Sequence, residues 1–213
     1  MAEIKKLIEG NQQFRKRFFN EESTLYKELV EHGQKPKTML IACSDSRVDP
    51  AMVFNCLPGE LFVIRNVANL VPPCEKNDTY HGVSASLEFG TCFLEVENII
   101  VFGHTQCGGI KALLENSNKV VEKKQYSFIS KWMELARPAY DTVVAKYGKL
   151  PLNEKVILCE QYTLTNSLNN LLTFPWIKER VDNGNLSLHA WYFDLETGEI
   201  HIFDQEKKNW SVL

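Results

Sequence analysis

The sequence predicts an α/β fold: a central, mostly parallel β-sheet with an antiparallel edge strand, flanked by helices, plus an N-terminal helical arm. Three observations lead there. Thr38–Cys43, Leu61–Ile64 and Asn98–Gly103 are short apolar runs rich in β-branched residues and without clean alternation. Strands of a parallel sheet read this way because both faces are covered. Helical patterns separate or follow these runs, and strand-then-helix alternation is the mark of an α/β architecture. Two late runs, Leu186–Phe193 and Glu199–Phe203, are joined by the turn residues 194–198 and read as a pair of strands.

Taken in order, residues 2–32 intersperse charges with Ile4, Leu7, Ile8, Phe14, Phe18, Leu25 and Leu29, the spacing of amphipathic helices. Gly33, Lys35 and Pro36 break that pattern. The segment does not fit the strand–helix core and reads as an arm that packs on a partner subunit. Helices are expected over Gly82 to about Val96, Gly109–Asn116, and Tyr126–Tyr147 with a kink or break at Pro138. A long helix is expected over Asn153–Leu172, and a short one opened by Pro175 and ended by Gly184. No repeat, low-complexity tract or linker divides the chain. A single domain over 1–213 is expected, with 1–33 as the arm and 34–213 as the α/β core.

Net charge is −3, with 44% hydrophobic and 24% charged residues. That is the composition of a globular chain, with no basic surplus pointing to nucleic acid or an anionic membrane. The first residues lack the apolar core and cleavage pattern of a secretory signal, and no apolar run reaches about 18 residues. A cytoplasmic location is the expectation. Of the six cysteines, Cys56, Cys74, Cys92 and Cys159 carry no pattern beyond that of small buried hydrophobes.

Cys43 and the pair His104 and Cys107 stand out. Each segment directly follows an apolar strand, and sites in open α/β sheets gather beyond the carboxyl ends of strands. Two thiolates and one imidazole suit zinc. The His-x-x-Cys spacing lets one turn of chain offer two ligands, and Gly108 and Gly109 permit close backbone approach while opening a helix. The N-terminus of that helix favours an ionised Cys107. Three protein ligands leave a fourth position, the arrangement of a catalytic centre, with a purely structural zinc site as the alternative. Asp45 and Arg47 follow Cys43 closely enough for a bidentate pair. Asp45 either accepts a hydrogen bond from a zinc-bound hydroxide or swings in as a fourth metal ligand in a closed state. A cysteine-nucleophile phosphatase loop is set aside, because position 49 is Asp.

The blocks Cys43-Ser-Asp-Ser-Arg-Val48, Arg65-Asn-Val-Ala-Asn-Leu-Val-Pro-Pro73 and Gly103-His-Thr-Gln-Cys-Gly-Gly109 resemble, in order and spacing, the signatures of β-class carbonic anhydrases. The resemblance runs from about Gln34 to the terminal hairpin. It implies one zinc per subunit on Cys43, His104 and Cys107, with Asp45 and Arg47 as the catalytic dyad. It implies reversible hydration of carbon dioxide to bicarbonate and a proton by attack of zinc-bound hydroxide. It also implies a homodimer, or an assembly of dimers, in which the N-terminal helices embrace the neighbour. The same resemblance places Gln34, Phe62, Val67, Phe89 and Gly108 at the substrate pocket, with Phe89 where plant-like members carry a tyrosine. Some bacterial members hold a second, non-catalytic bicarbonate between a tryptophan, an arginine and a tyrosine. Leu40, Arg65 and Phe193 stand at those places, so no such site is expected. His81 and Tyr80 are candidate proton shuttles. A carbon disulfide or carbonyl sulfide hydrolase and an inactive zinc-binding assembly module are the competing readings.

Overall fold

The computed structural model describes residues 2–20, 23–75, 79–115 and 127–213. The chain divides into two compact units, Met1–Lys35 and Pro36–Leu213.

The first unit holds α1 (Ala2–Phe18) and α2 (Leu25–His32), and neither helix buries a residue. Phe14, Phe18, Phe19 and Tyr26 pack together, with Phe19 stacked on Tyr26 at 4.6 Å between ring centroids. Ile4, Leu7 and Ile8 stay exposed on α1. Gly33 ends α2 at φ 73°, in the left-handed region where glycine carries no penalty.

The second unit is built on a six-stranded sheet of order β2-β1-β3-β4-β5-β6. The strands are β1 (Thr38–Cys43), β2 (Leu61–Asn66), β3 (Asn98–His104), β4 (Ser187–Phe193), β5 (Ile200–Asp204) and β6 (Asn209–Val212). The first four are parallel neighbours, while β5 and β6 run antiparallel. The antiparallel edge therefore holds one strand more than the sequence predicts: β6 is four residues long and mostly exposed, and pairs only with β5.

The remaining elements are α3 (Pro50–Val53), α4 (Gly82–Glu88), α5 (Gly108–Glu115), α6 (Ser127–Met133), α7 (Arg137–Tyr147), α8 (Leu152–Leu171) and α9 (Pro175–Asp182). The helix expected from Gly82 to Val96 is α4 only in its first half. At Phe89–Phe93 it widens into a π-turn, where Leu94 N–H donates to the Phe89 carbonyl. Pro138 opens α7 after a 3-10 turn at Glu134–Ala136, the break its missing N–H demands. The start of the expected helix at Tyr126, and the end of the preceding one at Asn116, lie outside the described residues.

Alternate residues of β1 serve the two sheet faces. Met39 and Ile41 join Ile99, Val101, Leu164, Leu168 and Phe174 on one face. Leu40 and Ala42 join Ile100 and Phe102 on the other. All are nearly or fully buried, and a fully buried Leu or Ile contributes about 1.5–3 kcal/mol. This core fixes the strand ends from which Cys43 and His104 project. Among the described residues, no helix is long and apolar enough to cross a membrane.

Candidate metal centre

β1 and β3 lie side by side, so Cys43 and His104 meet at their carboxyl ends, and the turn after β3 returns Cys107 beside them. The ligand atoms of Cys43, His104 and Cys107 all lie within 4.8 Å of one another, and all three residues are buried. His104 Nδ1 is 2.8 Å from the Thr105 carbonyl. A carbonyl only accepts, so Nδ1 carries the proton and Nε2 presents its lone pair. Nε2 is buried and has no hydrogen-bond partner. A buried polar atom is rarely left unpaired, and this one faces two sulfurs. The donor set and the orphaned nitrogen fit a zinc ion.

Backbone amides converge on the sulfurs. Asp45 N–H donates to Cys43 Sγ at 3.4 Å. The neighbouring Cys107, the nearby His104 ring and the amides of Asp45 and Ala68 together pull the Cys43 thiol down to about 4, against its burial. Ala68 reaches that position at φ 63°, uncommon for a residue with a Cβ. Its turn is braced by Asn66, whose side chain accepts from Leu70 N–H and donates to the Leu70 carbonyl, both at 2.9 Å. Beside an ionised Cys43, and buried, Cys107 holds its proton far above the usual thiol range, although the Gly109 and Ile110 amides at the start of α5 pull the other way. Without a metal the two sulfurs share a proton, because two anions this close cannot both form. A dication removes that conflict.

Asp45 points both carboxylate oxygens at Arg47. Oδ1 accepts from Arg47 N–H and Nε at 3.0 Å each, and Oδ2 accepts from Nη2 at 2.8 Å. These bonds hold the Asp45 carboxyl well below the usual range. Asp45 is accordingly outside the ligand trio here, clasped by Arg47. Arg47 is itself held by the Gln106 carbonyl at 3.2 Å, and the Gln106 side chain bonds Glu196 in the β4–β5 turn. Arg65 is committed to the same loop: Nε donates to the Cys43 carbonyl, Nη2 to the Asp45 carbonyl and Nη1 to Asp49 Oδ2. Leu40 is buried in the sheet face described above, and Phe193 packs on Phe102 at 6.0 Å.

A sequence profile described as "Carbonic anhydrase" matches residues 38–200, which contain the whole trio and the dyad. The chain belongs to the β-carbonic anhydrase family. Beta carbonic anhydrase 5, chloroplastic, of Arabidopsis thaliana is 40% identical over 181 residues, which is 85% of this chain and 58% of that protein. Beta carbonic anhydrase 3 of the same plant is 33% identical over 205 residues, 96% of this chain and 78% of that protein. The solved structure of the β-carbonic anhydrase CcaA superposes with a TM-score of 0.92 at 34% identity, covering 100% of this chain and 93% of that one.

Within this β-carbonic anhydrase chain, the residues of the second unit expected at a substrate pocket do not all meet. Gly108 begins α5 beside Cys107, and a Cβ there would meet nothing within 4 Å, so space opens next to the ligand. Val67 lies close by: a Cβ on Gly109 would sit 3.2 Å from its Cγ1. Phe62 and Phe89 pack on each other at 5.9 Å. The register pairs Phe62 with Met39, four residues before the Cys43–Asn66 pair, or about 13 Å along the strand. Gln34 is exposed and belongs to the first unit. Tyr80 is fully exposed, and His81 bonds the Thr79 hydroxyl at 2.9 Å.

Sequence reasoning missed Glu160 and Tyr192. Glu160, on α8, accepts from Cys107 N–H at 2.7 Å and from the Tyr192 hydroxyl at 2.5 Å. Burial pushes its carboxyl up to about 7 against those two bonds.

Proposed function

We propose that this chain catalyses reversible hydration of carbon dioxide to bicarbonate and a proton, with one zinc ion per subunit on Cys43, His104 and Cys107. The observation that carries this reading is the buried trio, with an unpartnered imidazole nitrogen, next to a carboxylate clasped by an arginine. When bound, zinc supplies the Lewis acidity that brings the pKa of a water ligand to about 7.

The chain's own residues do the rest. The three ligands come from two rigid strand ends and one helix start, which supports catalytic geometry better than loops do. Asp45 stays ionised and is acceptor-only at neutral pH. Oδ1 receives two bonds from Arg47 and Oδ2 one, so Oδ2 keeps a lone-pair direction free. That oxygen accepts a hydrogen bond from the nucleophilic oxygen and aims its lone pair at carbon. Arg47 fixes the carboxylate plane through its planar fork. Carbon dioxide needs a small apolar pocket, and the open space beside Gly108 with Val67 near Gly109 supports one next to the trio.

The positions of Phe62 and Phe89, away from the trio, favour a pocket completed by a second copy. β2 is a sheet edge, and Val63, Phe89 and Phe93 leave apolar surface exposed on or near it. We therefore read the working form as a homodimer or an assembly of dimers, in the cytoplasm, with the N-terminal helices packed on the neighbour.

Stopped-flow hydration of carbon dioxide, with zinc measured on the same samples, tests the reading. Wild type should hold about one zinc per subunit and hydrate carbon dioxide. Asp45→Asn should keep the zinc and lose most turnover, and Cys43→Ser should lose both. Wild type with zinc that turns over carbonyl sulfide or carbon disulfide but not carbon dioxide would refute it.

A further inference from the structure

The buried carboxylate of Glu160 is used by no step above, yet it touches a metal ligand. Glu160 is 3% exposed, as is Tyr192. Its Oε1 accepts from Cys107 N–H at 2.7 Å and its Oε2 from Tyr192 OH at 2.5 Å. Three separate elements converge here: α8, β4 and the turn that leads into α5. A glycine makes the approach possible. Gly103 sits opposite Tyr192 in the β3–β4 register, and a Cβ on it would meet Leu164 at 3.0–3.2 Å. Leu164 lies one helical turn after Glu160, so the missing Cβ lets α8 come close enough to β3 for Glu160 to reach Cys107.

Burying a carboxylate is costly unless its oxygens are bonded. A helix can sit on a sheet without one, and the neighbouring turns of α8 do so with Leu164 and Leu168. Both oxygens of Glu160 are occupied, by Cys107 N–H and Tyr192 OH, and Glu160 is not a member of the trio. Its direct bond to the trio is the one to the Cys107 main chain.

We propose that Glu160, anchored by Tyr192, is a positioning residue that clamps the Cys107 amide and so aims the Cys107 sulfur at Cys43 and His104. The proposal rests on the trio being the metal centre, but not on which reaction it catalyses. Residues that orient metal ligands from outside typically contribute about 10–100-fold in metal affinity or activity. Glu160→Ala removes the acceptor. Glu160→Gln keeps an amide oxygen for Cys107 N–H while its NH₂ group faces a Tyr192 oxygen able to accept. Ser167→Ala is the control. Ser167 is equally buried on α8 and accepts a main-chain amide, that of Val71, at 3.3 Å, away from the trio.

The experiment is zinc affinity by chelator competition, with the visible spectrum of the cobalt(II)-substituted protein as a direct view of ligand geometry. Glu160→Ala should bind zinc about 10–100-fold more weakly and show a shifted cobalt spectrum. Glu160→Gln should recover most of both. Ser167→Ala should lower thermal stability and move neither. Folded Glu160→Ala with wild-type affinity and spectrum overturns the proposal, as does an equal loss in Ser167→Ala. Should Glu160→Ala fail to fold, Tyr192→Phe decides: a several-fold loss of zinc affinity supports the clamp, and wild-type affinity overturns it. Wild type that binds zinc but does not hydrate carbon dioxide would sink the proposed activity and leave this test intact.

Discussion

Replacing Arg47 by Ala separates the catalytic reading of the dyad from a structural one. The Arg47 side chain is 48% exposed and that of Asp45 18%. An ion pair with one partner this open to solvent is worth about 0–1 kcal/mol to stability. For a chain of this size, 1 kcal/mol corresponds to roughly 2–4 °C in Tm. Turnover should respond on a different scale. Arg47 donates all three hydrogen bonds that orient the Asp45 carboxylate, and its Nη2 also ties the loop to Gln106. The main-chain N–H survives the substitution, but the fork does not. Misplacing a reacting group by about 1 Å costs roughly 10²-fold, equivalent to about 2.7 kcal/mol of transition-state stabilisation. Arg47→Ala should therefore lose about two orders of magnitude in kcat/KM while Tm falls by no more than about 4 °C. Arg47→Lys, a point charge without the fork, should fall between. Stopped-flow carbon dioxide hydration and thermal unfolding of the zinc-loaded protein measure the two quantities. A kcat/KM within threefold of wild type, or a loss of activity matched by a Tm loss above about 10 °C, would refute the reasoning.

Other perturbations probe the scaffold and the sulfurs. Zinc binding to the metal-free protein at pH 7 should release at least one proton per zinc, because Cys107 keeps its proton beside an ionised Cys43. Calorimetry in buffers of different ionisation enthalpy reads this number, and zero would contradict the shared-proton pair. As pH falls toward about 4, Cys43 takes a proton as well, so release rises and zinc affinity drops. Gly90→Ala drives a Cβ into the Met39 methyl and to 3.3 Å from the Phe62 ring inside the π-turn; urea unfolding should show a loss of about 1–3 kcal/mol, and no loss would mean that the turn is not packed as described. Asp49 caps α3 through Oδ1 and pairs with Arg65 through Oδ2. Asp49→Ala should cost about 1–2 kcal/mol, whereas Asp49→Asn, which retains the capping oxygen, should cost less than half of that.

Most of the sheet was legible because its strands are apolar on both faces, a pattern that survives without tertiary information. Each of β1 to β5 coincides with an expected run, and β2 extends two residues further through Arg65 and Asn66. Those two are polar because they serve the Cys43 loop and the 66–70 turn, so apolar content could not mark them as strand. β6 was hidden: Trp210 is its one half-buried residue, packed on Phe203 at 5.2 Å, and four residues give no periodicity. The π-turn was hidden because Phe89–Phe93 keeps a helix-like composition, and the change of hydrogen bonding is set by the packing of Gly90 against Met39 and Phe62. The trio was legible because cysteine and histidine directly follow apolar strands, where a core would place apolar residues. Glu160 was not legible. In sequence it is one polar position on a long helix, and its partners lie 53 and 32 residues away.

The central claim is that two sulfurs and one imidazole nitrogen hold a single zinc ion with one position left to solvent. X-ray absorption at the zinc edge of the purified protein tests it most directly. The account predicts about one zinc per subunit, two sulfur neighbours near 2.3 Å and two lighter atoms near 2.0–2.1 Å, the second of which exchanges with added small anions. Three or more sulfurs, a fourth ligand that no anion displaces, or protein without zinc would contradict it.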